Sequence, residues 1–303
     1  MNNRQKAYLA LVINAAIWGF AFPMAKKAFS ETTPMTFLFY RFVFATLAGL
    51  PIMIIFWKKL KFKLNELPEM AINGFVSTVL TLWILYLGLE RTSALEASVI
   101  TLPASIFIVV GGAIFLKEKI ALREKLGTAV AFIGSLVLVI EPVFFNHQAM
   151  SFSHTLGNTL AFGYNILWAI SALWMKKIAD KYHPFTLVYI SFVVGLIGFF
   201  PLALVENPQL LSQNYLTLPY ALLASAYMGV LGSTVAVYLY QYGQKLIEAS
   251  EATLFSYLSA IFSAPIAIIW LGEKITWPFV LGSLVVVGGV ILAEARQKAK
   301  ISP

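Results

Sequence analysis

The 303-residue chain is 59% hydrophobic and only 12% charged, with a mean hydropathy of +0.80, so it lacks the polar surface that a water-soluble core of this size needs. Its net charge of +8 and pI near 9.5 would point to nucleic acid in a soluble protein, and the absence of cysteine excludes disulfides, thiol nucleophiles and thiolate metal sites. A bilayer core about 30 Å thick is crossed by roughly 20 apolar helical residues, and windows of that kind fill the chain.

In order, the apolar windows are Ala7 to Ala25, Thr32 to Trp57 (interrupted by Arg41), Met70 to Leu89, Ala97 to Leu116, Leu126 to Ile140, Thr155 to Met175, Pro184 to Val205, Leu218 to Gln244, Ala252 to Gly272 and Ile275 to Ala293. We number them helices 1 to 10. The fifth is short and extends over Ala121 to Glu141 when Arg123 and Lys125 snorkel toward the headgroups. Barrel strands would alternate polar and apolar residues, whereas these windows are apolar all round. A cleaved signal peptide does not fit the first window, which is long, carries Pro23 and lacks a small-x-small cleavage site.

With the N-terminus inside, the inward segments hold 17 of the basic residues, among them Lys58, Lys59, Lys61, Lys63, Lys176, Lys177 and Lys181, while the outward loops hold 4, Lys26, Lys27, Arg91 and Lys274. By the positive-inside bias both termini are expected in the cytoplasm, and the surplus positive charge reads as a topology signal rather than a nucleic-acid surface.

The chain also repeats itself. Trp18, Lys26, Lys27, Pro34, Thr36, Phe42 and Pro51 recur 150 positions later at Trp168, Lys176, Lys177, Pro184, Thr186, Phe192 and Pro201. From helix 3 onward the offset is 155, so that Gly88, Glu96, Leu116, Glu118, Gly127 and Gly134 return as Gly243, Glu251, Leu271, Glu273, Gly282 and Gly289. Repeats over 1–146 and 147–303 would each hold five helices, an odd number, so the second copy enters the membrane from the opposite face. The expected fold is an all-α integral membrane protein, ten transmembrane helices in two inverted five-helix repeats. Two copies in opposite orientations can each adopt the other's shape, giving inward-open and outward-open states around a midplane site.

The run from Trp18 through Pro34 to Arg41-Phe42 resembles the start of the EamA domain of the drug/metabolite transporter superfamily. So do Pro103 followed by Leu116-Lys117-Glu118-Lys119 and the later Leu271-Gly272-Glu273-Lys274, each leading into a Gly-rich helix. The resemblance covers both halves and implies a ten-helix fold with a central cavity that exports or exchanges small metabolites, often amino acids. One departure is visible: the counterpart of Pro103 is Leu258, and helix 9 has its proline later, at Pro265.

Side chains expected to meet a solute are Asn14 and Trp18 on one face of helix 1, Tyr164, Asn165 and Trp168 on helix 6, Trp83 with Tyr86 on helix 3, and Tyr238 with Gln241 on helix 8. Ser98 and Thr101, with Ser105, form a polar stripe on helix 4, and Ser256 with Tyr257 belong to its counterpart on helix 9. The competing reading is that membrane Ser and Thr bond their own backbone and that Trp marks the headgroup level, as Trp57, Trp174, Trp270 and Trp277 do near helix ends. Arg41 is the one ionised residue inside a span; scaffolding or gating, together with Pro103 and Pro265, is favoured over direct solute contact. Glu96 and Glu251 read as helix-start caps, Glu273 as a loop ion pair beside Lys274. The small residues of helices 5 and 10 predict close contact with each other or with a second protomer.

No Asp or Glu falls at mid-membrane, which argues against a carboxylate-coupled cation exchanger, and one Arg is thin for sugar phosphates. A neutral or zwitterionic solute fits best, amino acids foremost, moved across the inner membrane by alternating access. A multidrug exporter of lipophilic compounds is the alternative on the same fold. An intramembrane enzyme is not expected, because His147, His154 and His183 fall in loops or at helix ends and Asp180 is cytoplasmic; nor are metals or cofactors.

Overall fold

The computed structural model describes residues 2–60, 62–104, 107–108, 111, 122–145, 152–178, 181–246, 255 and 258–294. Among these residues there is no strand, and five helical stretches are long and apolar enough to cross a bilayer: Asn3–Ala28, Pro34–Ile55, Leu64–Arg91, Phe185–Glu206 and Pro219–Tyr240.

Several spans are broken where the sequence predicts continuous helix. Helix 1 opens on a capping box between Asn2 and Gln5, runs Asn3–Gly19, and resumes as Ala21–Ala28. Pro23 has no N–H to offer the Gly19 carbonyl four residues back, which places the break. Helix 2, Pro34–Ile55, starts behind the Thr33 cap with proline in its first turn and carries Pro51 inside. Helix 7, Pro184–Glu206, starts behind His183 in the same way and carries Pro201.

Helix 3 contains a wide stretch. Leu67–Gly74 is α-helical, Phe75–Leu80 is π-helical, and Thr81–Arg91 returns to α. Helix 8 does the same with Pro219–Tyr227, Met228–Val235 and Ala236–Leu246, so the two wide stretches end 155 residues apart. Helix 4 begins as Ala94–Ile100 and tightens into a turn over 101–103, where Pro103 removes a donor. Helix 9, Leu258–Leu271, instead passes through Pro265 unbroken. Helices 5, 6 and 10 are Leu122–Phe145, Phe152–Ile178 and Trp277–Glu294.

Helix 2 packs on 7, 5 on 10, 3 on 6, and 1 on 8; helix 2 also meets the wide stretch of 8, helix 7 that of 3, helix 1 meets 9, and helix 4 meets 6 and 9. Exchanging each helix for the one five places later leaves these principal pairings unchanged. The main core joins Phe37, Phe42, Tyr86, Phe199 and Met228, with Phe42 stacked on Phe199 at 5.7 Å. Large apolar side chains such as Ile54, Ile197, Ile269 and Leu284 face outward, as a hydrocarbon surround permits.

The loops sort to two ends. At one, Lys181 pairs with Glu69 at 3.2 Å, and the Thr186 hydroxyl donates to the Leu60 carbonyl at 2.8 Å, so the Lys-rich 2–3 and 6–7 connections lie together. At the other, Glu31 accepts from the Ala221 N–H, Glu206 from the Met35 N–H, and Lys26 donates to the carbonyls of Leu89, Glu90 and Thr92. Glu273 arrives there because Gly272 adopts φ +69°, a left-handed cap in which its N–H returns to Ile268. Its carboxylate accepts from the N–H groups of Ala94 and Leu95 at the start of helix 4, not from Lys274. Burial pushes the Glu273 carboxyl above its usual range, with those two N–H groups and Lys26 drawing it back.

Helices 5 and 10 touch each other through their glycines. A Cβ at Gly134 would lie 2.7 Å from the Val286 nitrogen, and one at Gly289 2.3 Å from the Ala131 nitrogen, so these two glycines allow the helices to meet closely within the chain.

Candidate functional site

Side chains of helices 1 and 2 reach the wide stretch of helix 8, and Tyr86 of helix 3 joins them through Arg41. Widening to i→i−5 bonding and back skips one carbonyl, which then needs an outside donor. The Trp18 indole N–H reaches the Gly232 carbonyl at 3.0 Å, and the Asn14 amide donates to the Ala236 carbonyl at 2.8 Å. Asn14 is buried, and the Trp18 ring lies 5.5 Å from that of Tyr240. Ser233, on the same stretch, returns its hydroxyl to the Met228 carbonyl and accepts from the Arg41 guanidinium at 3.4 Å.

Arg41 donates its other terminal nitrogen to the Tyr86 hydroxyl at 3.1 Å and lies 5.5 Å above the Phe42 ring. Tyr86 is buried and stacked on Phe37 at 5.8 Å. Tyr164 packs against the core that holds Tyr86, and stacks on Trp168 at 5.8 Å. Trp168 is 38% exposed. Trp18, Arg41, Tyr86, Tyr164 and Trp168 therefore belong to one cluster.

Other expected residues stand differently. Asn165 is buried and donates to the Ile100 and Phe162 carbonyls, tying helix 6 to helix 4. Ser98 and Thr101 close their hydroxyls on the carbonyls of Leu95 and Ala97, the self-bonding expected of membrane Ser and Thr. Trp83 is part-exposed, and Tyr238, 65% exposed, stacks on Tyr242. Ser105, Ser256, Tyr257 and the Gln241 side chain lie outside the described residues. Gly232, Ser233, Tyr227 and Tyr240 escaped the sequence reading, although Gly-Ser-Thr in mid-helix was a visible signal; Tyr227 donates to the Ile17 carbonyl at 2.9 Å.

A second polar group sits at the end that holds Lys26 and Glu273. Glu96 completes a capping box with Ser93, lies 2.6 Å from His154, accepts from Thr92 at 2.9 Å and from Asn158 at 3.3 Å, and so pins helices 3, 4 and 6 together. Replacing this buried carboxylate by Ala removes the acceptor that Thr92, Ser93, His154 and Asn158 share. Glu96→Ala should cost about 2–4 kcal/mol, read as a lowered unfolding midpoint in detergent, with Glu96→Gln costing less because it keeps an acceptor oxygen. A midpoint unchanged in both would show that the cluster is not stabilising. At the same end a recess of about 460 Å³ opens among Glu31, Thr33, Glu90, Asn207 and Gln213, at loop level rather than at the Arg41 cluster.

Five apolar helical stretches long enough to cross a bilayer, with no strand among the described residues, define a multi-pass membrane protein. The model of the EamA-like transporter family matches residues 5–140 and 155–294, and the chain belongs to that family. It is similar to an uncharacterized transporter of Archaeoglobus fulgidus, 25% identical over 96% of this chain and 98% of the relative, and to the uncharacterized transporter YcxC of Bacillus subtilis, 25% identical over 97% and 94%. One solved crystal structure shares the fold over 99% of both chains at TM-score 0.63 and 14% identity. The protein is thus a membrane transporter of the EamA family.

Proposed function

We propose that this transporter moves small neutral or zwitterionic metabolites, amino acids foremost, across the cytoplasmic membrane by alternating access, in export or exchange. The carrying observation is the central cluster: one guanidinium, two stacked aromatic rings and hydroxyls, with no carboxylate bonded to Arg41 among the described residues. Such a lining accommodates a solute with little or no net charge and offers a cation no acidic anchor.

Two features support the inverted halves, 1–146 and 147–303. Wide stretches and interior prolines recur at the offsets of the sequence repeat, and the helix pairings survive exchange of the halves. The Lys-rich connections gathered at one end, with the 17-to-4 split of basic residues, support a reading with both termini in the cytoplasm.

The test is release from liposomes. Purified protein reconstituted into vesicles preloaded with a metabolite mixture should release amino acids roughly tenfold faster than protein-free vesicles, followed by mass spectrometry. Efflux confined to lipophilic cations would establish the multidrug alternative, and no efflux of any component would refute transport of these solutes.

A further inference from the structure

We infer that Arg41 is a carboxylate anchor, so that the cargo is a small solute carrying a single carboxylate, received by the guanidinium beside the wide stretch of helix 8. This rests on the transport reading and narrows its solute class.

Arg41 lies seven residues inside helix 2, about 10 Å along the axis from Pro34 at 1.5 Å per residue. A guanidinium at that depth costs several kcal/mol unless it is paired or hydrated. Its partners among the described residues are neutral: the Tyr86 hydroxyl, the Ser233 hydroxyl and the face of Phe42. Its Nε is buried and has no acceptor. Among the described residues two of its five N–H donors are used, both on hydroxyls, and no carboxylate meets the charge. A planar fork with spare donors matches a carboxylate in two-point geometry.

A scaffold arginine would be expected to take a carboxylate or several carbonyls, as Lys26 takes three carbonyls at the end of helix 3. Arg41 is held by two hydroxyls that orient it without neutralising it. The neighbouring Tyr164–Trp168 pair presents aromatic surface for an apolar side chain or an ammonium group. A phosphate dianion calls for further basic groups, and Arg41 is the one cation bonded within this cluster among the described residues.

The experiment compares acids with their amides. Vesicles containing the wild type, Arg41→Lys or Arg41→Gln are loaded with L-leucine, L-phenylalanine and L-threonine, and in parallel with the three carboxamides. Wild type should release the acids roughly tenfold faster than the amides. Arg41→Gln should erase that preference, and Arg41→Lys, which keeps a point charge without the fork, should retain part of it.

In detergent, sodium acetate should raise the unfolding midpoint of the wild type above its value in sodium chloride at equal ionic strength, and the rise should vanish in Arg41→Gln. Equal slowing of acids and amides in Arg41→Gln, or equal shifts by acetate and chloride, overturns the anchor. An acetate-specific, Arg41-dependent shift without flux of any solute would leave the anchor standing and refute the transport reading instead.

Discussion

Gly289→Ala should destabilise the protein by about 1–3 kcal/mol, while the adjacent Gly288→Ala should be neutral or slightly stabilising. A Cβ at Gly289 would lie 2.3 Å from the Ala131 nitrogen and 2.8 Å from the Gly127 carbonyl oxygen, all backbone atoms that cannot rotate away. At Gly288 nothing lies within 4 Å, and the residue is exposed. Relief at Gly289 requires helices 5 and 10 to separate, and Gly134 against Val286 shows that the close approach continues along the contact. Dispersion between two apolar helices falls steeply with such a gap, and in lipid no hydrophobic gain from water replaces it. Gly289→Leu should accordingly prevent recovery of a monodisperse protein. Thermal unfolding in detergent reads the pair of alanine variants, and equal midpoints for the two would refute the account of this interface.

Trp18→Ala should lower solute flux by roughly tenfold or more, and Trp277→Ala should leave it unchanged. Trp18 joins helix 1 to helix 8 at the Gly232 carbonyl in the wide stretch, next to the serine that receives Arg41. Removing the indole loses that bond and takes away the ring beside Tyr240. Trp18→Phe keeps a ring there and loses only the donor, so an intermediate flux separates the two contributions. Trp277 begins helix 10 and is 78% exposed, as an anchor at the headgroup level would be. The comparison is made in vesicles with matched amounts of reconstituted protein. Equal losses for Trp18→Ala and Trp277→Ala would remove the reason for placing the site at helix 8.

Helix positions were legible in the sequence because hydrocarbon leaves the backbone one economical way to satisfy itself, and apolar windows of sufficient length mark it. Glu96 was legible as a cap because a carboxylate suits the positive start of a helix, a local effect; its reciprocal partner Ser93, three residues earlier, was not singled out. Glu273 was misjudged from its neighbour Lys274, since its partners, Ala94 and Leu95, lie far away in the chain and are reached only after Gly272 turns it. Trp18, Arg41, Tyr86, Tyr164 and Trp168 are named by the sequence as candidates helix by helix, from polarity within a span and recurrence at a fixed offset. That they meet around Gly232 and Ser233 was not legible, because the i→i−5 stretch differs from ordinary helix by a few backbone bonds and has no composition of its own.

By itself the sequence determined that the chain is an all-helical membrane protein, where its spans lie, and which segments gather lysine, since these follow from the cost of placing charge and unpaired backbone in hydrocarbon. Only the tertiary structure decided where helices 3 and 8 widen, that Gly134 and Gly289 bring helices 5 and 10 together, and that among the described residues an intramembrane arginine meets two hydroxyls and a phenyl face but no carboxylate. Those outcomes depend on which surfaces meet, and packing between segments distant in the chain leaves no local pattern from which to read it.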